Sequence, residues 1–216
     1  MRTQTQINEI VRLLLAEYPE ANCTLDYAKP HELLFSVRLA AQCTDERVNQ
    51  VTPALFARFP TLEAFAEADV SEVEQYVHSC GFFRAKARDI VECSKVLLEK
   101  YNGQVPSTME ELVSLPGVGR KTANLILGDV FHIPGSTVVD THCIRICVRL
   151  GFYPEGKKDP LMTEKVMDCY IERGEQSDFC HRIVNFGRDR CMAQSPKCDG
   201  CPVSDLCDRY ARDNER

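Results

Sequence analysis

The sequence predicts an all-α protein. No segment alternates apolar and polar residues over the length of a half-buried strand, whereas apolar residues recur at helical spacing, as at Ile7, Ile10, Val11 and Leu14. The chain has 216 residues, of which 44% are hydrophobic and 27% are charged. This composition suits one compact unit or two small helical lobes with a buried core.

Breakers and capping residues place the helices in order. After a break at 42–45, Thr44 or Asp45 is a candidate N-cap, and Ser71-x-x-Glu74 and Ser107-x-x-Glu110 match the capping box. Residues 151–161 form a loop rich in Gly, Pro and Lys. The predicted helices cover 1–20, 31–41, 45–59, 61–68, 71–81 and 84–101, a short segment after Ser107, then 120–131, 141–150, 163–173 and 177–187.

Composition also bounds the compartment. No apolar run is long enough to cross a bilayer, and the first helix lacks the cleavage site of a signal peptide. We therefore expect a cytoplasmic protein. In a reducing cytoplasm the twelve cysteines are expected to be small core residues or metal ligands.

The segment SLPGVGRKTAN lies between two predicted helices. Gly117 and Gly119 permit a tight turn, and the unpaired N–H groups at the start of the next helix can bind a phosphate. If only the two glycines are considered, an ordinary αα-hairpin that binds no phosphate is the alternative. Lys121 follows Arg120 in the first turn, where the helix dipole, burial and Arg120 are expected to lower its pKa and favour a nucleophilic amine.

A carboxylate stands before the next helix. Asp140 follows Val138 and Val139 and is positioned as an N-cap. Capping alone accounts for most aspartates at such positions. The functional alternative is a carboxylate that stabilises positive charge while a sugar C1′–N bond breaks.

Four cysteines follow one another closely near the C-terminus. Their spacing is C-x6-C-x2-C-x5-C, at Cys191, Cys198, Cys201 and Cys207, and it predicts a metal centre. Zinc sites built from two CxxC pairs need a longer separation, so the spacing favours an iron–sulfur cluster. The remaining eight cysteines are expected in the core.

The net charge of −6 and the sequence pI of about 5.5 are unusual for a DNA-binding protein. Binding to DNA therefore requires that the acidic residues be segregated from the basic ones. Many acidic residues fall in the first third of the chain, and basic residues gather at 84–88, 120–121 and 182–190.

Three sequence features, in this order, resemble the endonuclease III family of helix-hairpin-helix DNA glycosylases and AP lyases: LPGVGRKTAN, VDTH and the cysteine spacing. AQCTD and GFFRAKA extend the resemblance to nearly the whole chain. It implies a six-helix barrel at 23–133 and an iron–sulfur lobe formed by 1–22 with 134–216, which flank a DNA cleft. It also implies a 4Fe–4S cluster on the four cysteines and a monomer that acts on double-stranded DNA and associates with the nucleoid.

The resemblance also implies residue roles. Lys121 matches the nucleophile, Asp140 the catalytic carboxylate, and Gln42 the glutamine that fills the gap left by a flipped nucleotide. Gly117, Gly119 and Arg120 match the DNA-binding hairpin. Phe82 stands where the family usually has a leucine that inserts into the opposite strand, and Phe186 stands where it commonly has histidine.

The implied activity is removal of oxidised pyrimidines from DNA, followed by cleavage 3′ to the abasic site. A mismatch or pyrimidine-dimer glycosylase of the same superfamily is an alternative. An adenine glycosylase is disfavoured, because that type lacks the lysine found here at 121. A non-catalytic iron–sulfur DNA-binding protein would need neither Lys121 nor Asp140, so this pair favours an enzyme.

Overall fold

The structure is a computed structural model that describes residues 2–153 and 159–214. Every regular element in these ranges is a helix, which confirms the all-α prediction. The centre of the predicted 151–161 loop, 154–158, lies outside the described residues. The helices are α1 (Gln4–Glu17), α2 (Pro30–Ala40), α3 (Asp45–Arg58), α4 (Leu62–Ala66), α5 (Val70–Val77), α6 (Phe83–Tyr101), α7 (Met109–Val113), α8 (Arg120–Asp129), α9 (Thr141–Arg149), α10 (Pro160–Tyr170), α11 (Gln176–Asp189) and α12 (Asp208–Asn214), with a 3₁₀ turn at Ser204–Leu206.

The chain divides into two compact units. One comprises 23–131 and contains α2–α8; we call it the hairpin unit. The other comprises 1–22 with 132–216 and contains α1 and α9–α12; we call it the cysteine unit. No helix in the described ranges is both long and apolar enough to span a membrane.

The core of the hairpin unit is organised around α6 and a group of aromatic rings. The Phe65 ring lies 5.1 Å from both Phe35 and Phe59, measured between centroids, and all three side chains are fully buried. Truncating one such ring to alanine costs about 3–5 kcal/mol. This core therefore fixes α2, α3 and α4, and α6 packs against α2 and α4.

The cysteine unit depends on close packing of α9 against α11. A Cβ placed on Gly187 would lie 2.3 Å from His142 Nδ1, so only glycine allows the two helices to approach this closely. The Phe152 and Phe179 rings stack nearly parallel, with centroids 6.4 Å apart. Near the N-terminus, Arg2 donates to Leu150 O at 3.0 Å and pairs with Asp208.

Capping residues explain where the predicted boundaries were right and wrong. Thr44 caps α3 as predicted, accepting from Arg47 N at 3.2 Å. The helix predicted from Ser71 is instead capped by Asp69, and the one predicted from Ser107 is capped by Thr108. In both places the predicted cap and the observed cap each have an acidic residue three positions later. The capping-box pattern alone therefore does not choose between the two candidates. Predicted helix 163–173 begins earlier, at Pro160, after the Asp159 cap.

Candidate functional site

The hairpin between α7 and α8 ends in an unobstructed helix N-terminus. Val118 N donates to Leu115 O at 3.2 Å, and Gly117 has a left-handed backbone with φ +74°. Gly119 is the N-cap of α8 and supplies no capping side chain. A Cβ placed on Gly119 would meet no atom within 4 Å, so there is open space beside the start of α8. The N–H groups of a helix's first turn have no partner within the helix and can bind an anion in such a space.

An ion pair packs against the turn at Gly117. Arg38 donates from Nε and Nη2 to Asp89 Oδ2 at 2.7 and 2.6 Å. A Cβ on Gly117 would lie 2.7 Å from Arg38 Nε and 2.8 Å from Asp89 Oδ2. The turn therefore rests directly on side chains from α2 and α6, which hold the hairpin in place.

Lys121 is the second residue of α8 and is exposed. The expectation that its amine is buried is therefore wrong. Arg84, Arg88 and Arg120 are exposed in the same unit. The hairpin unit thus carries exposed cations on the elements that bear Lys121 and Phe82, although the net charge of the whole chain is negative.

Gln42 and Phe82 lie on adjacent loops of the hairpin unit. Both have left-handed backbones, with φ of 55° and 58°, and both side chains are exposed, Phe82 to 71%. A Cβ on Gly81, next to Phe82, would lie 3.5 Å from Gln42 O, which places the two loops in contact. A bulky residue rarely adopts this backbone, and such strain is common at ligand-binding positions.

Lys86 holds these two loops together from inside. Its Nζ donates to Leu39 O at 2.7 Å, at the end of α2, while its backbone N–H bonds to Phe82 O at 3.2 Å. The side chain is fully buried, and burial lowers the pKa of its ammonium against the opposing effect of Cys80 and Cys43. The Lys86 side chain therefore links α6, which follows Phe82, to the end of α2, which precedes Gln42.

Asp140 lies in the cysteine unit, where it caps α9 as predicted. Its Oδ1 accepts from Cys143 N at 2.8 Å, and the residue is half-buried. One carboxylate oxygen is thereby used in the cap. The second oxygen has further acceptor capacity, so capping and a chemical role are compatible.

The four clustered cysteines line one cavity of the cysteine unit. The cavity measures about 410 Å³ with the solvent at its mouth, and its walls include Leu150, Phe186 and Val203. No three His, Cys, Asp or Glu side chains in the described ranges converge on a single-ion site. Thiols spread around a largely apolar cavity suit a polynuclear cluster with one thiolate ligand at each corner.

The local polar groups also fit a thiolate-bound cluster. Burial raises the pKa of the Cys201 and Cys207 thiols, and nearby backbone N–H donors at Val203, Arg209 and Tyr210 act in the opposite direction. Such donors stabilise the thiolate form that binds iron.

A buried arginine fixes the first ligand segment. Arg149 is 7% exposed and donates to Cys191 O and Sγ, both at 3.2 Å, to Met192 O at 2.7 Å and to Ala193 O at 3.0 Å. Arg145 adds a bond to Cys191 O at 3.0 Å. Helix α9 thus carries Asp140 at its start and anchors the cysteine segment near its end.

Phe186, which stands where the family commonly has histidine, is a buried wall residue whose ring packs edge-on against Tyr18. Two sequence-based expectations need correction. Arg182, expected in a basic surface cluster, is buried and donates to Tyr18 O at 3.3 Å. Of the eight cysteines expected in the core, Cys169 is exposed.

The sequence reasoning missed Arg149, Lys86 and the Arg38–Asp89 pair. Lys86 had a visible signal, because it shares the buried stripe of α6 with Ala87, Ile90 and Val91. Arg149 similarly follows the buried positions of α9. Arg38 and Asp89 are 51 positions apart, so their pairing had no local signal.

Comparisons with known proteins agree with this arrangement. Residues 35–171 match the HhH-GPD superfamily of base excision DNA repair proteins, and residues 191–207 match the iron–sulfur binding domain of endonuclease III. Endonuclease III of Synechocystis sp. is 44% identical over 199 residues, covering 92% of this chain and 90% of that protein.

Two solved structures extend the match to DNA-bound proteins. A trapped endonuclease III–DNA covalent intermediate has a TM-score of 0.92 at 41% identity, and a non-covalent endonuclease III–DNA complex has 0.93 at 40%. Each comparison covers 100% of both chains. This chain therefore belongs to the endonuclease III family of iron–sulfur DNA glycosylases and AP lyases that act in base excision repair.

Proposed function

We propose that this enzyme removes oxidised pyrimidines from double-stranded DNA and then cleaves the strand 3′ to the abasic site. The observation that carries the proposal is the position of Lys121. Its exposed amine lies in the first turn of α8, two residues after an N-cap that leaves the helix N-terminus open. This position supports the proposal, because a lysine in the first turn of a helix would lie beside N–H groups able to bind a phosphate and could act as the nucleophile there.

DNA binding precedes the chemistry. The N–H groups after Gly119 donate hydrogen bonds to a backbone phosphate, with Arg120 adding positive charge. The damaged nucleotide then leaves the stack, which costs least for bases that pair or stack poorly. Gln42 and Phe82 enter the vacated space, because both are exposed on strained, fixed loops.

The chemistry requires a neutral amine and a carboxylate. Lys121 Nζ attacks C1′, the C1′–N bond breaks, and the base leaves with the bonding electrons and takes up a proton. Asp140 stabilises the positive charge that develops on the sugar. Opening of the sugar ring gives a Schiff base, loss of a C2′ proton breaks the C3′–O bond, and water then releases Lys121.

Cys191, Cys198, Cys201 and Cys207 would hold the iron–sulfur cluster. When bound, the cluster cross-links the 191–207 segment and so orders the loop that carries Lys197. We further propose that the enzyme acts as a monomer in the cytoplasm, on the DNA of the nucleoid.

Trapping with borohydride tests the proposal. Borohydride reduces a lysine Schiff base to a stable amine, so wild-type protein should form a covalent complex with abasic duplex. Lys121→Ala should form none and should leave thymine-glycol duplex uncut. Lys100→Ala, which removes an exposed lysine at the far end of α6, is the matched control and should trap like wild type. Trapping by Lys121→Ala would refute the assignment of the nucleophile.

A further inference from the structure

Arg190 occupies a special position between α11 and the first cluster cysteine. It follows the last residue of α11, precedes Cys191, and lines the cysteine cavity. Its Nη1 donates to Gly200 O at 3.1 Å, in the turn between Cys198 and Cys201. Its Nη2 contacts Glu17 Oε1 of α1 at 3.4 Å. Two of its three nitrogens therefore have partners on opposite sides.

The third nitrogen is different. Arg190 Nε is buried and has no hydrogen-bond partner among the residues that the structure describes. A buried N–H left unpaired costs about 1–3 kcal/mol, and more when the group is charged, so such atoms are rare in folded proteins. Because the guanidinium is planar and its two ends are held, the direction of the Nε–H bond is fixed.

The cavity supplies the matching acceptor. All four cluster cysteines line the same cavity as Arg190, so a cluster bound there would bring sulfur acceptors into the cavity that this side chain lines. Arg149 already shows this type of contact, since its Nη1 lies 3.2 Å from Cys191 Sγ. Arg149 makes several other bonds, however, whereas Arg190 Nε has none.

We propose that Arg190 Nε donates a hydrogen bond to a sulfur atom of the iron–sulfur cluster. A cluster with four thiolates is negatively charged and becomes more so on one-electron reduction, so a donor to its sulfur stabilises the reduced state most. Arg190 therefore raises the reduction potential of the cluster. It also slows the loss of iron, because the same bond holds the cluster against Gly200 and the end of α11.

Three variants separate this bond from the other contacts of Arg190. Arg190→Met removes the charge and all donors. Arg190→Lys keeps the charge but lacks the fixed Nε–H. Glu17→Gln removes only the negative charge that Arg190 meets on α1. Lys197→Met removes a cation from the exposed rim of the same cavity and serves as the charge control.

The reduction potential should be measured by voltammetry on the loaded protein, together with the rate of iron release to a chelator. We expect Arg190→Met and Arg190→Lys to lower the potential and to release iron about tenfold faster, the effect of losing one hydrogen bond to a charged acceptor. Glu17→Gln and Lys197→Met should stay near wild type. A wild-type potential in Arg190→Lys would overturn the proposal, as would an equal change in Glu17→Gln. If Arg190→Met fails to load, Arg190→Lys decides the outcome.

Discussion

Alanine should lower the stability of the protein at Gly117 but the affinity for DNA at Gly119. Gly117 has φ +74°, and a left-handed backbone costs an L-residue about 1–2 kcal/mol relative to glycine. Its new Cβ would also lie 2.7–2.9 Å from atoms of Arg38 and Asp89. Forcing those side chains apart adds about 1–3 kcal/mol. Gly117→Ala should therefore destabilise the hairpin unit by about 2–5 kcal/mol.

Gly119→Ala is the matched variant without either penalty. Its φ of −102° is open to any residue, and its Cβ would meet nothing within 4 Å. We expect its stability to remain within about 1 kcal/mol of wild type, because restriction of the unfolded chain partly offsets the weaker N-cap. The added methyl would instead stand where a phosphate approaches α8. DNA affinity should fall at least about tenfold, as for loss of a charge-assisted hydrogen bond.

Two measurements check this pair. Urea unfolding followed by circular dichroism gives the free energy of unfolding, and titration of a duplex with a stable abasic analogue at fixed salt gives Kd. Wild-type stability in Gly117→Ala would contradict the contact with the ion pair. Wild-type affinity in a folded Gly119→Ala would contradict phosphate binding at the start of α8.

Two further substitutions test the remaining site residues. Asp140→Asn keeps a capping oxygen, so α9 and DNA binding should persist while turnover falls about 10²-fold or more; Asp159→Asn, which alters the cap of α10 in the same way, should remain active. Near-wild-type turnover in Asp140→Asn would leave capping as its only role. Phe82→Asn should preserve or raise stability by up to about 1 kcal/mol, since asparagine tolerates the left-handed backbone, yet weaken binding to damaged duplex. Undiminished binding would show that the ring does not enter the DNA.

Local chemistry explains which parts of this structure were predictable. The Asp140 cap, the Thr44 cap and the order of the helices depend on residues within four positions of one another, so they are visible in the sequence. The choice between Asp69 and Ser71 was not visible, because both precede an acidic residue at the required spacing. The four cysteines were recognisable for the same reason of short spacing.

Long-range polar contacts explain what the sequence left out. Arg149 reads as an ordinary charged residue at the end of a helix, yet it binds a segment more than forty positions later. Arg38 and Asp89 become neighbours only when α2 packs against α6. Buried cations are rare unless paired, so their roles depend on partners that only the folded chain supplies.

We propose that the two strained loops, at Gln42 and Phe82, take part in the choice of lesion. Left-handed backbones at Gln42 and Phe82 cost on the order of 1–3 kcal/mol each, and persist only when the surroundings fix them. The buried Lys86 side chain contributes to this constraint, because it binds Leu39 O at the end of α2, close to Gln42 in the chain. Strain in exposed residues brings no stability to the free protein, but it holds both side chains ready for a ligand. Because the proposed phosphate contact of the hairpin does not involve the base, we infer that discrimination between lesions falls to these loops.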